Sequence, residues 1–172
     1  MRRHHRRRRN RSEETRMDAA TETRAAPAKG AHNAHDFRQF VSFLIDDELY
    51  GVDVQAVREI RKWSPVTRLP GQPYYARGVL NIRGEALPVH DLRARFGGGE
   101  TDATETNVVV IVNLGSSSVG LLVDAVSDII DVNATEISDV PEGAREDHDG
   151  AITGLVPRED KMLALVDVAK LF

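Results

Sequence analysis

"GVLNIRGEALPVHDLR", residues 78–93, is the stretch whose reading decides the fold. Apolar and polar side chains alternate on either side of Arg83-Gly84-Glu85, the period-2 signature of two half-buried strands joined by a tight turn. Gly84 can take positive φ there without a Cβ penalty. Pro88 has no N–H to give to a ladder, which places its strand at a sheet edge or at a bulge. Arg83, Glu85, His90 and Asp91 interrupt what otherwise reads as barrel core. They either perform catalysis or hold another protein.

Toward the N-terminus, "FRQFVSFLID" sets Phe37, Val41, Phe43 and Ile45 on one parity, with Phe40 and Leu44 giving the second face partial cover. "DDE" then supplies a turn and "LYGVDV" the returning strand of a hairpin. In "QAVREIRKW", Ala56, Val57, Ile60 and Trp63 fit a short helical stripe, while the β-branched content also fits a strand. "SPVTRLPGQP" is punctuated by three prolines, with a turn at Pro70-Gly71.

Beyond residue 93, "GGGETDATETN" (97–107) reads as a flexible polar linker and a boundary between subdomains. "VVVIVNL", "VGLLVDAV" and "DIIDV" read as three strands separated by Gly/Ser and Ser/Asp turns. "SDVPEGAREDHDG" is an acidic loop, and "AITGLVPREDKMLALVDV" a further hairpin closed by "PRED", before "AKLF" opens a short helix. Many short strands with frequent turns describe an all-β architecture, and their two clusters indicate two coupled barrels over residues 36–172.

Residues 1–35 show no apolar period and are expected to be a disordered basic tail. Residues 1–16 carry +6, which leaves −10 on the other 156 residues. An acidic globule is a poor general binder of nucleic acid, so weak contacts with nucleic acid or a membrane surface would fall to the tail. The tail also reads as a plain solvated extension, with Met17 the initiator. No apolar run approaches the roughly 18–20 residues of a membrane helix, and none follows the basic start as in a signal peptide, so a cytoplasmic protein is expected. The chain has no cysteine. Disulfides, thiolate zinc sites and a cysteine nucleophile are therefore excluded.

Catalytic motifs are absent. There is no G-x-S-x-G elbow, P-loop or dinucleotide fingerprint, and Ser116 to Ser118 fall in a hairpin turn. His32 and His35 lie in the tail, which does not preorganise a metal site. His148 belongs to the acidic loop, which lacks the calcium-loop spacing. His90 and Asp91 are strand neighbours pointing to opposite faces, so Asp91 is expected to cap "LRARF" and His90 to be a partly exposed strand residue. No cofactor, metal or small-molecule substrate is expected. Arg83, at its turn, can project a forked donor toward a carboxylate, with Glu59 as ion-pair partner. From the residues alone this pair reads equally as a surface salt bridge or as a binding feature.

These residues resemble the chemotaxis coupling proteins, the CheW-like family, across residues 37–172. The likeness rests on the ordered series "FVSFLIDDELYGVDVQAVREI", "VTRLP", "GVLNIRGEALPVHDLR", "VVVIVNL", "VGLLVDAVSDII" and "ITGLVPREDKMLALVDVAKL". The Asn-hydrophobic-Arg-Gly turn followed by Pro-x-x-Asp-Leu-Arg is its most specific part. The resemblance implies two five-stranded Src-homology-3-like barrels around a shared apolar seam, with short helical segments. It also implies a non-enzymatic adaptor between the hairpin tip of methyl-accepting chemoreceptors and the regulatory domain of the histidine kinase CheA, at receptor arrays beneath the membrane. By the same resemblance Arg83 is the receptor-contact arginine, with Val57 and Glu59 beside it. Arg77 and Gly78 match kinase-side or structural positions. Lys62, Trp63, Glu85 and His90 depart from the family's habit, and the basic tail has no counterpart. Two further readings stand beside this one: an adaptor of a chemosensory pathway with a non-flagellar output, and a nucleic-acid or membrane protein acting through its arginine arm.

Overall fold

The structure, a computed structural model, describes residues 37–143 and 149–172. The basic tail, Met17, His32, His35 and His148 lie outside the described residues. Strands β1 (Phe37–Ile45) and β2 (Glu48–Asp53) form the expected hairpin, and a 3-10 turn at Val54–Ala56 leads to β3 (Val57–Lys62). "QAVREIRKW" is thus a strand with a helical lead-in, the turn being capped by Asp53 on the Gln55 N–H. Strands β4 (Ala76–Ile82), β5 (Glu85–Asp91), β6 (Val108–Leu114), β7 (Ser117–Val123), β8 (Ala125–Asn133), β9 (Ile152–Arg158) and β10 (Lys161–Val166) follow, with one helical turn, α1 (Leu92–Arg95). Among the described residues no helix is long and apolar enough to cross a membrane.

Two five-stranded sheets result, ordered β8-β1-β2-β10-β9 and β3-β6-β7-β5-β4. Both have the same pairing pattern, with one parallel pair in each (β2 with β10, β5 with β7). The second barrel is continuous in sequence. The first is the same circuit permuted, β8-β9-β10 being completed by the N-terminal hairpin. Each closes in the same way, by an antiparallel bridge onto a free strand edge: Thr67 on Val79 in one, Ser138 on Leu155 in the other. An aspartate then starts the turn after the third strand of each circuit, Asp91 before α1 and Asp167 before a 3-10 turn at Val168–Lys170.

Three apolar clusters follow from strand parity. Along β6, Val109 and Ile111 fill the second barrel with Leu80, Ile82, Leu87, Val89 and Leu122. Val110 and Val112 turn the other way, to meet Val41, Phe43, Ile45, Tyr50 and Val52 of the hairpin in a seam between barrels. The run "VVVIV" is uninterrupted because both faces of its strand are covered. Phe40, on the opposite parity of β1, enters the first barrel with Val132, Val156, Leu163 and Leu165, so the partial cover expected for it is complete.

Three expectations are corrected. Residues 97–107 do not divide the barrels, because they join β5 to β6 within one sheet, and Thr101 is buried and hydrogen-bonded. The chain changes sheet at residues 54–56 and at Asp124 instead. The Ser/Asp turn is a bulge inside β8, where Ser42 Oγ donates to the Asp128 carbonyl and accepts from its N–H. Pro88 lies on an interior strand. Its partner Val79 spends both backbone groups on Thr67, and the β5–β7 ladder begins only at Val89, so no hydrogen bond is asked of the proline.

Phe43 is fully buried at the centre of the seam. Phe43→Ala is expected to cost about 3–5 kcal/mol of unfolding free energy, read by denaturant titration, with both barrels melting in one transition.

Candidate functional site

The β4–β5 connection has two residues, Arg83 and Gly84, with φ of 54° and 86°. Positive φ at both positions suits the right-handed twist of a hairpin, and here one of them is not glycine. Asn81 Oδ1 accepts from the Gly84 N–H at 2.9 Å and braces the turn. The Arg83 side chain is 75% exposed, and its Nη2 lies 3.7 Å from Glu59 Oε1 on β3. Arg61 Nε stands 3.8 Å from the same oxygen. Among the described residues these are ion pairs without a hydrogen bond, which leaves the Arg83 donors open to a ligand. Val57, the first residue of β3, is half-buried against the seam, where it holds the strand that carries Glu59.

The structure brings Arg83 and Glu59 together, and Val57 lies two residues from Glu59 on the same strand, packed against the seam. Arg77 and Gly78 are not part of that surface. Arg77 is buried, donating from Nη1 to the Thr101 carbonyl at 2.6 Å and to Asp91 Oδ2 at 3.2 Å, with Glu100 Oε1 at 3.0 Å. Its guanidinium also lies 5.6 Å from the Trp63 ring centre, which gives Trp63 a packing role. Asp91, fully buried, accepts in addition from the Thr101 N–H and Oγ1 and from the Ala94 N–H, so it is the expected helix cap and also the anchor of the 97–107 segment. At Gly78 φ is 136°, and a Cβ would come within 2.3 Å of the Thr67 carbonyl oxygen. Only glycine lets the closing bridge form there.

His90 and Asp91 have separate surroundings, as their opposed directions require. The half-buried His90 ring lies 5.3 Å from Tyr75, edge-on, and 4.3 Å from Phe172. Burial pushes its pKa below the ordinary histidine value, and its Nδ1 has no hydrogen-bond partner among the described residues. Among those residues no three His, Asp or Glu side chains converge to hold a metal ion.

The residue that sequence reasoning missed is Arg58. Both its Nη1 and its Nη2 lie 3.1 Å from Glu85 Oε2. A signal was available, since Glu85 stood out as a charge at the turn and Arg58 is the opposite charge beside Glu59. What was lacking was the knowledge that β3 lies against the β4–β5 turn.

The fold and site define a class, a paired-barrel domain bearing an anchored, outward-facing charged turn. A family model described as the CheW-like domain matches residues 39–172. The chemotaxis protein CheW of Rhizobium meliloti is 37% identical over 141 residues, covering 82% of this chain and 91% of that protein. CheW of Klebsiella aerogenes is 38% identical over 134 residues, covering 78% and 81%. Among solved structures, the scaffolding protein TtCheW from Thermoanaerobacter tengcongensis superposes with a TM-score of 0.72 at 32% identity, covering 78% of this chain and 92% of that one. The chain belongs to the CheW-like domain family.

Two stability experiments follow from this geometry. Asp91→Ala strips the buried Arg77 of a carboxylate and is expected to cost about 3–5 kcal/mol, whereas Arg83→Ala, on an exposed pair, should change stability by about 1 kcal/mol or less. Equal losses in denaturant titrations would contradict the division between interior and surface. For His90 the folded pKa lies below the unfolded value of about 6.5, so its neutral form stabilises the fold above that pH. This contribution is lost as pH falls from about 6.5 through the lowered folded value. The acid side of the wild-type stability curve should accordingly be steeper than that of His90→Phe.

Proposed function

We propose that this chain is a non-enzymatic adaptor that couples methyl-accepting chemoreceptors to the histidine kinase CheA. The observation that carries the reading is Arg83, a guanidinium with open donors, held outward on a braced two-residue turn and steered by Glu59 at 3.7 Å. A receptor hairpin tip lying beside the turn would meet Arg83 first, with Glu59 keeping it extended and Val57 lining the approach. The relatives named for chemotaxis and the solved relative described as a scaffolding protein support the same role. Arg77 and Gly78 would serve the kinase side indirectly, by holding the shape of the second barrel. Such an adaptor acts in the cytoplasm, beneath the membrane, through its partners. It need only transmit a coupling free energy, typically about 1–3 kcal/mol, between receptor and kinase states.

The test is calorimetric titration of the full chain against the kinase regulatory domain and, separately, against a soluble receptor signalling hairpin from the same cell. Both should saturate at one-to-one. Arg83→Glu should weaken the receptor titration at least tenfold, about 1.4 kcal/mol, leave the kinase titration unchanged, and keep the melting temperature. Unaltered receptor binding by the folded variant would remove Arg83 from the site. Binding that disappears only when residues 1–16 are deleted, and that weakens steeply with salt, would point instead to the arginine arm.

A further inference from the structure

Arg58 sits where β3 bulges against β6, so that its side chain leaves the regular alternation of the strand. Besides its two contacts to Glu85, Arg58 Nη1 lies 3.2 Å from Ser118 Oγ, which itself contacts Asn113 Oδ1 at 3.2 Å. One guanidinium thus joins three pieces: β3, the first residue of β5, and the β6–β7 hairpin. The Glu59–Arg83 pair crosses between the same two elements with the opposite polarity. Neighbouring residues of β3 therefore reach the two residues that flank Gly84. The two salt bridges together fasten both sides of the tip to β3.

Glu59, 3.7 Å from Arg83 and 3.8 Å from Arg61, steers Arg83 without a hydrogen bond. The firm connection of the tip is the one through Arg58. Counting Arg58, Arg61 and Arg83 against Glu59 and Glu85, the turn is one positive on a chain whose residues beyond 16 carry −10. That local balance suits a carboxylate on the partner.

We infer that Arg58 and Glu85 are positioning residues, which fasten the turn to β3 and so aim Arg83 at a carboxylate of the receptor segment. The inference rests on the adaptor reading above and adds a determinant of partner affinity to it. Neither residue of the pair contacts the partner; each acts through Arg83.

A charge swap tests it, with the full chain titrated against the receptor signalling hairpin and, as a control, against the kinase regulatory domain. Arg58→Glu and Glu85→Arg should each weaken receptor binding about fivefold, the scale of one exposed charge pair. The Arg58→Glu/Glu85→Arg double variant should restore it to within about twofold, since the pair is rebuilt with reversed polarity. Glu85→Gln, the milder variant, should give a partial loss if a charge reversal unfolds the tip. Kinase binding and melting temperature should stay level throughout. A double variant no better than the weaker single, or singles with wild-type affinity, would overturn the positioning role. A wild-type chain that binds neither probe would instead overturn the adaptor reading itself.

Discussion

The two barrels of this protein have a boundary only because β1, β2, β6 and β7 are apolar on both faces. Val41, Phe43 and Ile45 of β1, with Tyr50 and Val52 of β2, meet Val110, Val112, Val119, Leu121 and Val123 of β6 and β7. A small barrel encloses few side chains, and its interior alone supplies limited stabilisation. Here the seam adds a third cluster, larger than either barrel interior. Inside the second barrel the packing is close as well: a Cβ at Gly120 would stand 2.7 Å from Val109 Cγ1. Leu171, fully buried, and Val168 draw the C-terminal residues into the same cluster.

Chain path and seam reinforce one another. The N-terminal hairpin completes a barrel whose other strands come from the last third of the chain, so the barrel contiguous in sequence is enclosed by one that is not. Neither can open without exposing the seam. The repeated details, a bridge onto a strand edge and an aspartate starting the following turn, show that each barrel solves the closure problem in the same way. Among the described residues, only the second barrel places a buried arginine on its aspartate, and that buried pair requires good geometry to offset desolvation. Asp91 meets the requirement with four hydrogen bonds, and in doing so fixes the polar segment that leads into β6.

The polar residues that interrupt the opening motif divide by burial. Asp91 faces inward and serves the fold, and His90 joins an aromatic group with Tyr75 and Phe172. Arg83 and Glu85 face outward and are tied to β3. The charged turn is consequently braced in its backbone by Asn81 and exposed at its outermost side chain.

Strand periodicity, turn chemistry and capping residues were legible in the sequence because they are local. Alternation in "FVSFLI", the Arg83-Gly84 turn and the cap at Asp91 each depend on a few neighbouring residues. Which strand lies across which was not legible, because parity encodes the face a side chain takes and not what stands opposite it. For that reason residues 97–107 read as a linker, Ser127-Asp128 as a turn and Pro88 as an edge or a bulge, until pairing with other strands gave each its place. The same limit governed the site. Arg83 and Glu59 could be named from residue type and family likeness, while the burial of Arg77 exists only because residues 100–101 fold back onto it, and the partnership of Arg58 with Glu85 only because barrel closure carries the β4–β5 turn onto β3.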